Sequence, residues 1–528
     1  MSSASVSPNG GEWVARYAEY SDLMLKARRA CPGLPVLGIS ALRPRHLLPP
    51  DHVDLLTGRP IHQPSLGRIM GRWIRCVLFA CREALLLAWL RVWFHRRMRR
   101  LMVDSAHIIL RTWYFGPLDA SAAQASTDFY YGTLPQQLEA RGIRCLLLAG
   151  DIRGMPDWAF ARSVFGRRAI RTMPEQLFIP PWAPLLTAWQ QLTTAFVLRR
   201  LAAQAREPSF AAVCAVASMD SLRTITLRNT LHYYAARAAV THLKAQAFVT
   251  FYEGQPWEQP AWHGAKVGNP SCVTVGYQHT VLLRHNFALQ HPQDDGRVSA
   301  QPDVVLCSGP RTHALLATSH PRSTLIVFGT FRPFPAQAAV RSPRPRHRTV
   351  LVVPETGILR EAKLLFEFAM RSARVMPDHH FIFRCHPIMP FERLRPHLAG
   401  SPEDSTNIEI SSTRSMADDC ARASVVLYRG SSSVLYAVMH GLKPVYVHQE
   451  QAQHGDPLFE MSMWRESVGS VEELQESLRA YASTSTDDAS AQWRIAAEYV
   501  NAYAVPVSGV AVDQLVEAVG VSLDGARR

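Results

Sequence analysis

The chain has 528 residues, and its 57 Lys and Arg against 43 Asp and Glu give a formal net charge of +14. Because 47% of the residues are hydrophobic and only 19% are charged, the composition excludes an intrinsically disordered, collagen-like or low-complexity chain. At roughly 150 residues per domain, the length predicts two to four domains.

The first 66 residues are interrupted by prolines between positions 32 and 64, and they are predicted to form an irregular N-terminal extension. The first twenty residues contain no apolar stretch of the kind that a secretory signal needs. The nine cysteines are scattered and include no C-x-x-C pair. Neither a zinc ribbon nor a thioredoxin-like centre is therefore predicted, and a reducing cytoplasm is favoured.

Residues 67–103 predict a basic amphipathic helix rich in Trp and Arg, with nine arginines against Glu83 as the one acidic residue. Its longest apolar runs are six and seven residues, whereas a membrane-spanning helix needs about 20. The pattern favours a helix that lies on the anionic inner face of the cytoplasmic membrane. A helix packed on the protein with a basic solvated edge stays open as the alternative. No nucleic-acid-binding motif is present, so nucleic acid is not an expected partner.

From residue 104 onward, strand-like and helix-like stretches alternate, which is typical of α/β proteins with parallel sheets. The pattern divides into a Rossmann-like domain at 104–332, a Pro- and Arg-rich linker at 333–348, and a second Rossmann-like domain at 349–528. The predicted fold class is therefore α/β, with two doubly wound domains that face a cleft. The predicted strands are 106–111, 143–149, 246–252, 271–277, 303–307, 349–353, 379–384, 407–411, 424–428 and 444–448.

Ligands of open α/β sheets bind outside the carboxyl ends of the strands, so the residues that follow each strand are the candidate site residues. The stretch YEGQPWE at 252–258 follows one strand. Glu253 is placed to take a proton from an attacking hydroxyl, Trp257 to stack on a sugar ring, and Glu258 to contact the same acceptor. A polar loop in which Glu253 caps a helix remains the alternative.

Two histidines also follow strands. Gln278 and His279 end the next strand and are candidate acceptor-binding residues. Arg384, His386 and Pro387 end a strand in the second half, where a cation and an imidazole suit a phosphate. For both histidines, a structural role at a strand boundary stays open.

A loop of small residues precedes a helix after the strand at 424–428, which is typical of an anion site. Its candidate residues are Gly430, Ser431, Ser432 and Ser433, although one serine can also act only as the helix N-cap. Thr356 and Gly357 form a weaker copy of this loop. The chain has no Walker A, G-x-G-x-x-G, H-E-x-x-H or D-x-D motif, so no metal site is predicted.

The stretches YEGQPWE, GYQHT at 276–280, RCHP at 384–387 and YRGSSSVLYAVMHGLKPV at 428–445 resemble bacterial surface-carbohydrate biosynthesis proteins, of the O-antigen and capsule kind, with the GT-B fold. The HP and SSS stretches are similar to those of polysialyltransferase-like enzymes that use CMP-activated acidic sugars. The resemblance implies that Glu253 is the base, that His386 contacts the donor phosphate, and that Ser432 and Ser433 hold that phosphate. This chain has Tyr252 where those enzymes carry a first acidic residue.

The resemblance implies a metal-independent glycosyltransferase with no cofactor beyond its nucleotide-sugar donor, for which a CMP-sugar is favoured. The domain at 349–528 would bind the donor, and the domain at 104–332 would bind a surface-glycan or lipid-linked acceptor. Two other functions stay open, namely a nucleotide-sugar epimerase or hydrolase of the same fold and a non-catalytic scaffold that binds glycan or lipid.

Overall fold

A computed structural model describes most of the chain. The described residues are 10–31, 33–43, 64–102, 105–114, 127–151, 157–167, 169–284, 286–290, 301–331, 342–354, 358–386, 389–449 and 455–521.

The first sheet contains seven parallel strands among the described residues, in the order β3-β2-β1-β4-β5-β6-β7. Leu110 of β1 lies beside Leu147 of β2 on one side and beside Val249 of β4 on the other. The central strand β4 is buried along its whole length because helices cover both faces of the sheet. The strands are β1 Ile108–Tyr114, β2 Cys145–Asp151, β3 Thr172–Pro174, β4 Ala247–Phe251, β5 Val273–Gln278, β6 Val304–Cys307 and β7 Thr324–Val327.

The second sheet contains six parallel strands in the described part of the chain, in the order β10-β9-β8-β11-β12-β13. The strands are β8 Thr349–Val353, β9 His380–Arg384, β10 Ile408–Ser411, β11 Val425–Tyr428, β12 Lys443–Val447 and β13 Glu466–Val468.

Both sheets add strands outward from their first strand in one direction and then in the other, which is the order of a doubly wound Rossmann-like sheet. The predicted fold class of two such sheets is confirmed. The predicted strands are all present, within two or three residues at their ends. Sequence patterning missed β3, β7 and β13, which are edge strands of three or four residues and carry little periodic signal. The predicted domain boundaries stay predictions.

Helices connect and cover the strands. They are α1 Gly10–Ala30, α2 Leu66–Met102, α3 Leu134–Glu139, α4 Asp157–Gly166, α5 Ala183–Gln204, α6 Pro208–Ser221, α7 Thr224–Leu243, α8 Glu258–Gly268, α9 Phe287–Gln290, α10 Pro310–Ala317, α11 Leu359–Val375, α12 Phe391–Leu394, α13 Met416–Arg422, α14 Ser433–Met439, α15 Val471–Ser483, α16 Thr486–Tyr503 and α17 Gly509–Ala518.

The N-terminal extension differs from the irregular segment that the prolines predict. The helix α1 lies in a stretch without proline, and Pro35 falls in the first turn of a 3-10 helix, where a missing N–H costs nothing. Leu23, Met24 and Ala27 are buried against α6. The buried Arg28 donates to the Gln259 side chain at 2.8 Å, so the described part of this segment is tied to α8.

The basic helix predicted at 67–103 is present as α2, and it packs along α5. Among the described residues, no single helix has both the length and the hydropathy of a membrane span. The consecutive helices α6 and α7 reach those limits only as a pair bent by 74°.

The end of the chain returns from the second sheet to the first. The helix α17 buries Val512, Leu515 and Val516 in a core on the first sheet, where it contacts β7 and α3. Contacts also join the carboxyl-end loops of the two sheets, because Arg311 after β6 pairs with Glu460 after β12 at 2.8 Å. Leu282 after β5 donates its backbone N–H to the hydroxyl of Tyr503 in α16.

Because Leu515 is fully buried, Leu515→Ala should lower the free energy of unfolding by about 2–5 kcal/mol. Val510→Ala on the same helix is the matched control, since Val510 is 67% exposed, and it should change that free energy by less than about 0.5 kcal/mol. Urea denaturation followed by circular dichroism measures both. Equal effects of the two substitutions would contradict the packing of α17 on the first sheet.

Candidate active site at the strand ends

A carboxylate and an imidazole meet at the carboxyl end of the first sheet. Glu253 follows β4 and His279 follows β5, which are neighbouring strands. The Glu253 Oε1 atom lies 2.8 Å from the His279 Nε2 atom. The His279 side chain is 3% exposed and that of Glu253 is 20% exposed, so the carboxylate is the member of the pair that an incoming molecule can reach. Sequence analysis predicts both residues at the site, and the structure brings them together.

The Glu253 loop is held by a buried carboxyl group. Glu258, the first residue of α8, accepts the backbone N–H of Glu253 at 2.9 Å and that of Gly254 at 3.1 Å. Gly254 has a φ of +79°, and a Cβ atom there would lie 2.1 Å from the Cβ of Ala288. Only glycine satisfies both the left-handed conformation and this close approach.

The carboxyl group of Glu258 has no exposed surface. Burial raises its pKa to about 8, and the Glu253 charge acts in the same direction, while the backbone N–H groups of Glu253 and Gln255 and the charge of Arg43 lower it. This shift favours the neutral form of Glu258 and so reduces the negative charge beside Glu253. Both oxygens of Glu258 face backbone N–H groups, so the side chain points inward and shapes the loop. Its predicted contact with an acceptor stays a prediction.

Aromatic rings surround the His279 imidazole. Phe251, Tyr130 and Tyr277 lie with ring centroids 4.9, 5.1 and 5.7 Å from it. Tyr130 is placed by the buried Asp128, whose carboxylate accepts the backbone N–H of Tyr130 at 2.9 Å. The His279 ring is thereby fixed on several sides, with its Nε2 atom facing the Glu253 carboxylate.

A buried ion cluster that the sequence analysis misses lies beside this pair. Arg111 of β1 donates to Glu175 at 3.1 Å, and Glu175 also pairs with His232 of α7. Burial opposes ionisation of Glu175, but Arg111 and His232 outweigh it and lower its pKa to about 2. Gly150 of β2 makes room, since a Cβ there would lie 2.5 Å from the Arg111 guanidinium. An arginine inside the apolar strand IILRTWY is the signal, because a buried arginine needs an acidic partner.

Trp257 belongs to this cluster and does not present a free ring to a sugar. It is 5% exposed, its ring packs edge-on against Trp113, and the Arg111 guanidinium lies 4.1 Å from its centroid. The stacking of a sugar on Trp257 stays a prediction, and in this structure the ring is packed inside the protein.

Gln278 is likewise turned into the protein. It is fully buried, its Oε1 accepts the backbone N–H of Ser308 at 3.0 Å, and its amide donates to the Thr280 carbonyl. Gln278 thereby links the ends of β5 and β6, and its contact with an acceptor stays a prediction.

The small-residue loop in the second sheet lies where the sequence predicts it, between β11 and α14. Gly430 adopts a φ of +64°, and the Ser431 hydroxyl accepts the Ser433 N–H at 3.2 Å. Ser432 is the N-cap residue of α14. Ser432 and Ser433 are half-buried, whereas Ser431 and Gly430 are buried. The buried Arg429 braces this loop through Glu361 of α11 at 2.6 Å, a pair that the sequence analysis does not identify.

Arg384 and His386 follow β9, two strands away from that loop. Arg384 donates to the fully buried Asp419 at 2.7 Å and to the Arg414 carbonyl at 2.9 Å, so part of its charge is already neutralised. His386 is half-buried, and its carbonyl accepts the Met389 N–H in a turn. The predicted donor residues Thr356, Gly357 and Pro387 lie outside the described residues.

No group of three or more His, Cys, Asp or Glu side chains that would suit a metal ion occurs among the residues that the structure describes.

No family model matches the chain, and no curated protein matches it. Similar solved structures include the glycotransferase of kitacinnamycin, with a TM-score of 0.45 and 13% identity over 79% of this chain and all of that one. A calicheamicin glycosyltransferase gives 0.42 and 15% over 79% of this chain and 98% of that one. The UDP-GlcNAc 2-epimerase of Methanocaldococcus jannaschii gives 0.42 and 12% over 79% and 99%.

The Glu175 cluster predicts a pH dependence of stability. Glu175→Gln leaves Arg111 buried without its counter-charge and should lower the free energy of unfolding by about 3–5 kcal/mol at pH 7. The pKa of Glu175 is depressed from 4.5 to about 2, so its stabilising effect is complete above pH 4.5 and disappears as the pH falls to 2.

Chemical denaturation of the parent protein and of the Glu175→Gln variant measures the difference between their free energies of unfolding. This difference should be constant from pH 7 to about pH 4.5 and should narrow from there to pH 2. Glu139→Gln, a change at an exposed helix residue, is the control and should stay within about 0.5 kcal/mol of the parent protein. If the difference in free energy of unfolding instead grew as the pH fell, the ionised Glu175 would not be what stabilises the cluster.

Proposed function

We propose that this chain is a glycosyltransferase that moves a sugar from a nucleotide-sugar donor to a hydroxyl group of a glycan or lipid-linked acceptor. The observation that carries the proposal is the Glu253–His279 pair, with 2.8 Å between carboxylate and imidazole, at the carboxyl end of β4. In doubly wound sheets the ligand crevice lies where the strand order reverses, which in the first sheet is between β1 and β4.

The chemistry follows from the accessibility of the two side chains. The partly exposed Glu253 carboxylate takes the proton of the acceptor hydroxyl, and the buried His279 holds the carboxylate in position. The acceptor oxygen forms a bond to the anomeric carbon of the donor sugar. The bond from that carbon to the phosphate oxygen breaks, and the nucleotide leaves with the electron pair.

The donor lies, in this proposal, at the carboxyl end of the second sheet. The position of Ser431, Ser432 and Ser433 after β11 supports this placement of the donor. β11 lies beside β8 in the second sheet, as β4 lies beside β1 in the first. His386 follows β9 on the other side of β8 and supplies an imidazole to the phosphate. The Arg311–Glu460 pair supports the closeness of the two sites, because it joins the carboxyl-end loops of the two sheets. A CMP-activated acidic sugar is the donor class that the sequence resemblance implies.

Glu253→Gln should reduce turnover by about 10²–10⁴-fold, because the amide cannot accept the proton, while the affinity for the donor stays unchanged. Glu498→Gln, a change at an exposed residue of α16, is the control and should retain full turnover. Release of free nucleotide from the donor is the measurement, with and without acceptor. Full activity of the Glu253 variant would exclude the proposed base. Acceptor-independent conversion of the donor would favour the epimerase or hydrolase alternative.

The donor site is tested separately by thermal unfolding with CMP, UDP, GDP, CDP and dTDP. A nucleotide at 100 times its dissociation constant adds about 2.7 kcal/mol to the folded state, which raises the unfolding temperature measurably. We expect a selective shift with one nucleotide, lost in His386→Ala and kept in His397→Ala, whose histidine is exposed in a nearby 3-10 turn. No shift with any nucleotide would favour the non-catalytic scaffold.

A further inference from the structure

The long helix α2 carries two apolar faces. One of them, which includes Ile69, Cys76, Leu87 and Leu90, is buried in the protein. The opposite face points outward, and its side chains repeat at the spacings of one helix side. The outward side chains are Leu66, Met70, Ile74, Leu78, Leu85, Trp89, Val92 and Trp93, of which Val92 is 80% and Leu85 73% exposed.

The neighbouring helix α5 has an outward apolar face of its own. Its exposed side chains follow the three- and four-residue spacing of one helix side, and they begin just before the helix. They are Trp182, Leu185, Leu186, Trp189 and Phe196, with Trp189 59% exposed. The other side of α5, with Ala188, Gln191 and Ala195, is buried against the protein.

The two helices lie side by side and run antiparallel. Arg199 near the end of α5 reaches the Pro64 carbonyl just before α2, at 3.5 Å. Trp73 in α2 donates to the Ala188 carbonyl in the first half of α5 at 3.1 Å. For an antiparallel pair with these contact residues, helical geometry turns both outward faces to the same side. We call this combined surface, formed by the outward side chains of α2 and of residues 182–196, the two-helix face.

The two-helix face is too apolar to be an ordinary solvated surface. Single exposed hydrophobic residues are normal, but a contiguous group of large ones marks a binding surface. Most of the exposed large hydrophobic side chains in the described part of the chain lie on this face, and four of them are tryptophans. The rings of Trp89 and Trp93 lie 5.8 Å apart, and such amphipathic rings favour the headgroup level of a membrane.

The charge beside this face has one sign. Arg68, Arg75 and Arg82 are exposed and recur every seven residues, which places them on one flank of the outward stripe. Arg96, Arg97, Arg99 and Arg100 follow at the end of α2 and are also exposed. Glu83 is the one acidic residue of the helix, and it is close to Arg82 and Arg228 at 3.9 Å. An occupant of the face must therefore combine an apolar interior with a negative rim.

We propose that the two-helix face docks on an anionic phospholipid bilayer, with the apolar side chains of both helices in the headgroup and acyl boundary and the arginines on the lipid phosphates. The proposal goes beyond glycosyl transfer, since it assigns the protein a peripheral location on a negatively charged membrane leaflet. Helices with this division of apolar, Trp and Arg side chains lie in the plane of the membrane surface.

Co-sedimentation of the full chain with vesicles is the test. Vesicles of phosphatidylcholine with 30% phosphatidylglycerol should bind the protein, whereas pure phosphatidylcholine vesicles should bind it about 100-fold less tightly. Replacing Arg68, Arg75 and Arg82 together by Gln should cost about 100-fold in binding to the anionic vesicles, since each arginine near such a surface contributes about fivefold. High salt should weaken binding by the parent protein because it screens the same charges.

The apolar contribution is tested with the combined substitutions Leu85→Ser, Val92→Ser and Trp93→Ser, which should lower vesicle binding by about 100-fold or more. These side chains are exposed, so the unfolding temperature should stay within about 2 °C of that of the parent protein. The matched control carries Trp158→Ser, Ile495→Ser and Val510→Ser, three exposed apolar residues outside the face, and should bind vesicles like the parent protein.

Two results would overturn the proposal. One is equal vesicle binding by the face variant and the control variant. The other is a dimer in sedimentation velocity that the three serines dissociate, together with no vesicle binding by the parent protein, since the occupant would then be a second copy of the chain. Neither result bears on nucleotide binding, so the proposed glycosyl transfer is tested independently.

Discussion

The strand order of the two sheets is the constraint on which the remaining structure depends. In each sheet the chain adds strands on one side of the first strand and then crosses to the other side. The loops that follow β1 and β4 in the first sheet, and β8 and β11 in the second, therefore run in opposite directions. The gap between those loops receives Glu253 in the first sheet and the serine loop in the second. The contact between Arg311, in the helix after β6, and Glu460, in the segment after β12, joins the carboxyl ends of the two sheets.

Two buried carboxyl groups in the first sheet, those of Glu258 and Glu175, have pKa values shifted in opposite directions. Burial keeps the pKa of Glu258 near 8, and its oxygens receive the backbone of the Glu253 loop. Glu175 is held ionised by Arg111 and His232, and it links β1 to α7. The accessible Glu253 carboxylate is thus positioned by Glu258, which is fully buried, and by His279, whose side chain is 3% exposed.

The proposed membrane surface is continuous in sequence with the buried cluster of the first sheet. Glu175 lies in a 3-10 helix that ends at Phe178, and α5 begins at Ala183. The same short stretch therefore carries a member of the Arg111 cluster and leads into one half of the two-helix face. This continuity associates the face with the first sheet, to which the acceptor is assigned, rather than with the second.

The sequence by itself determined the alternation of strands and helices, the two parallel sheets, the long basic helix and the placement of Glu253, His279 and the serine loop after strands. These features depend on local periodicity and on turn residues, which one stretch of chain carries alone. Only the tertiary structure decided that Glu253 pairs with His279, that Trp257, Glu258 and Gln278 turn inward, and that Arg111 meets Glu175. It also decided that the N-terminal segment folds onto α6 and α8 and that α5 completes an apolar face with α2. Each of these depends on which distant residues remove a side chain from water, and periodicity along the chain does not encode that.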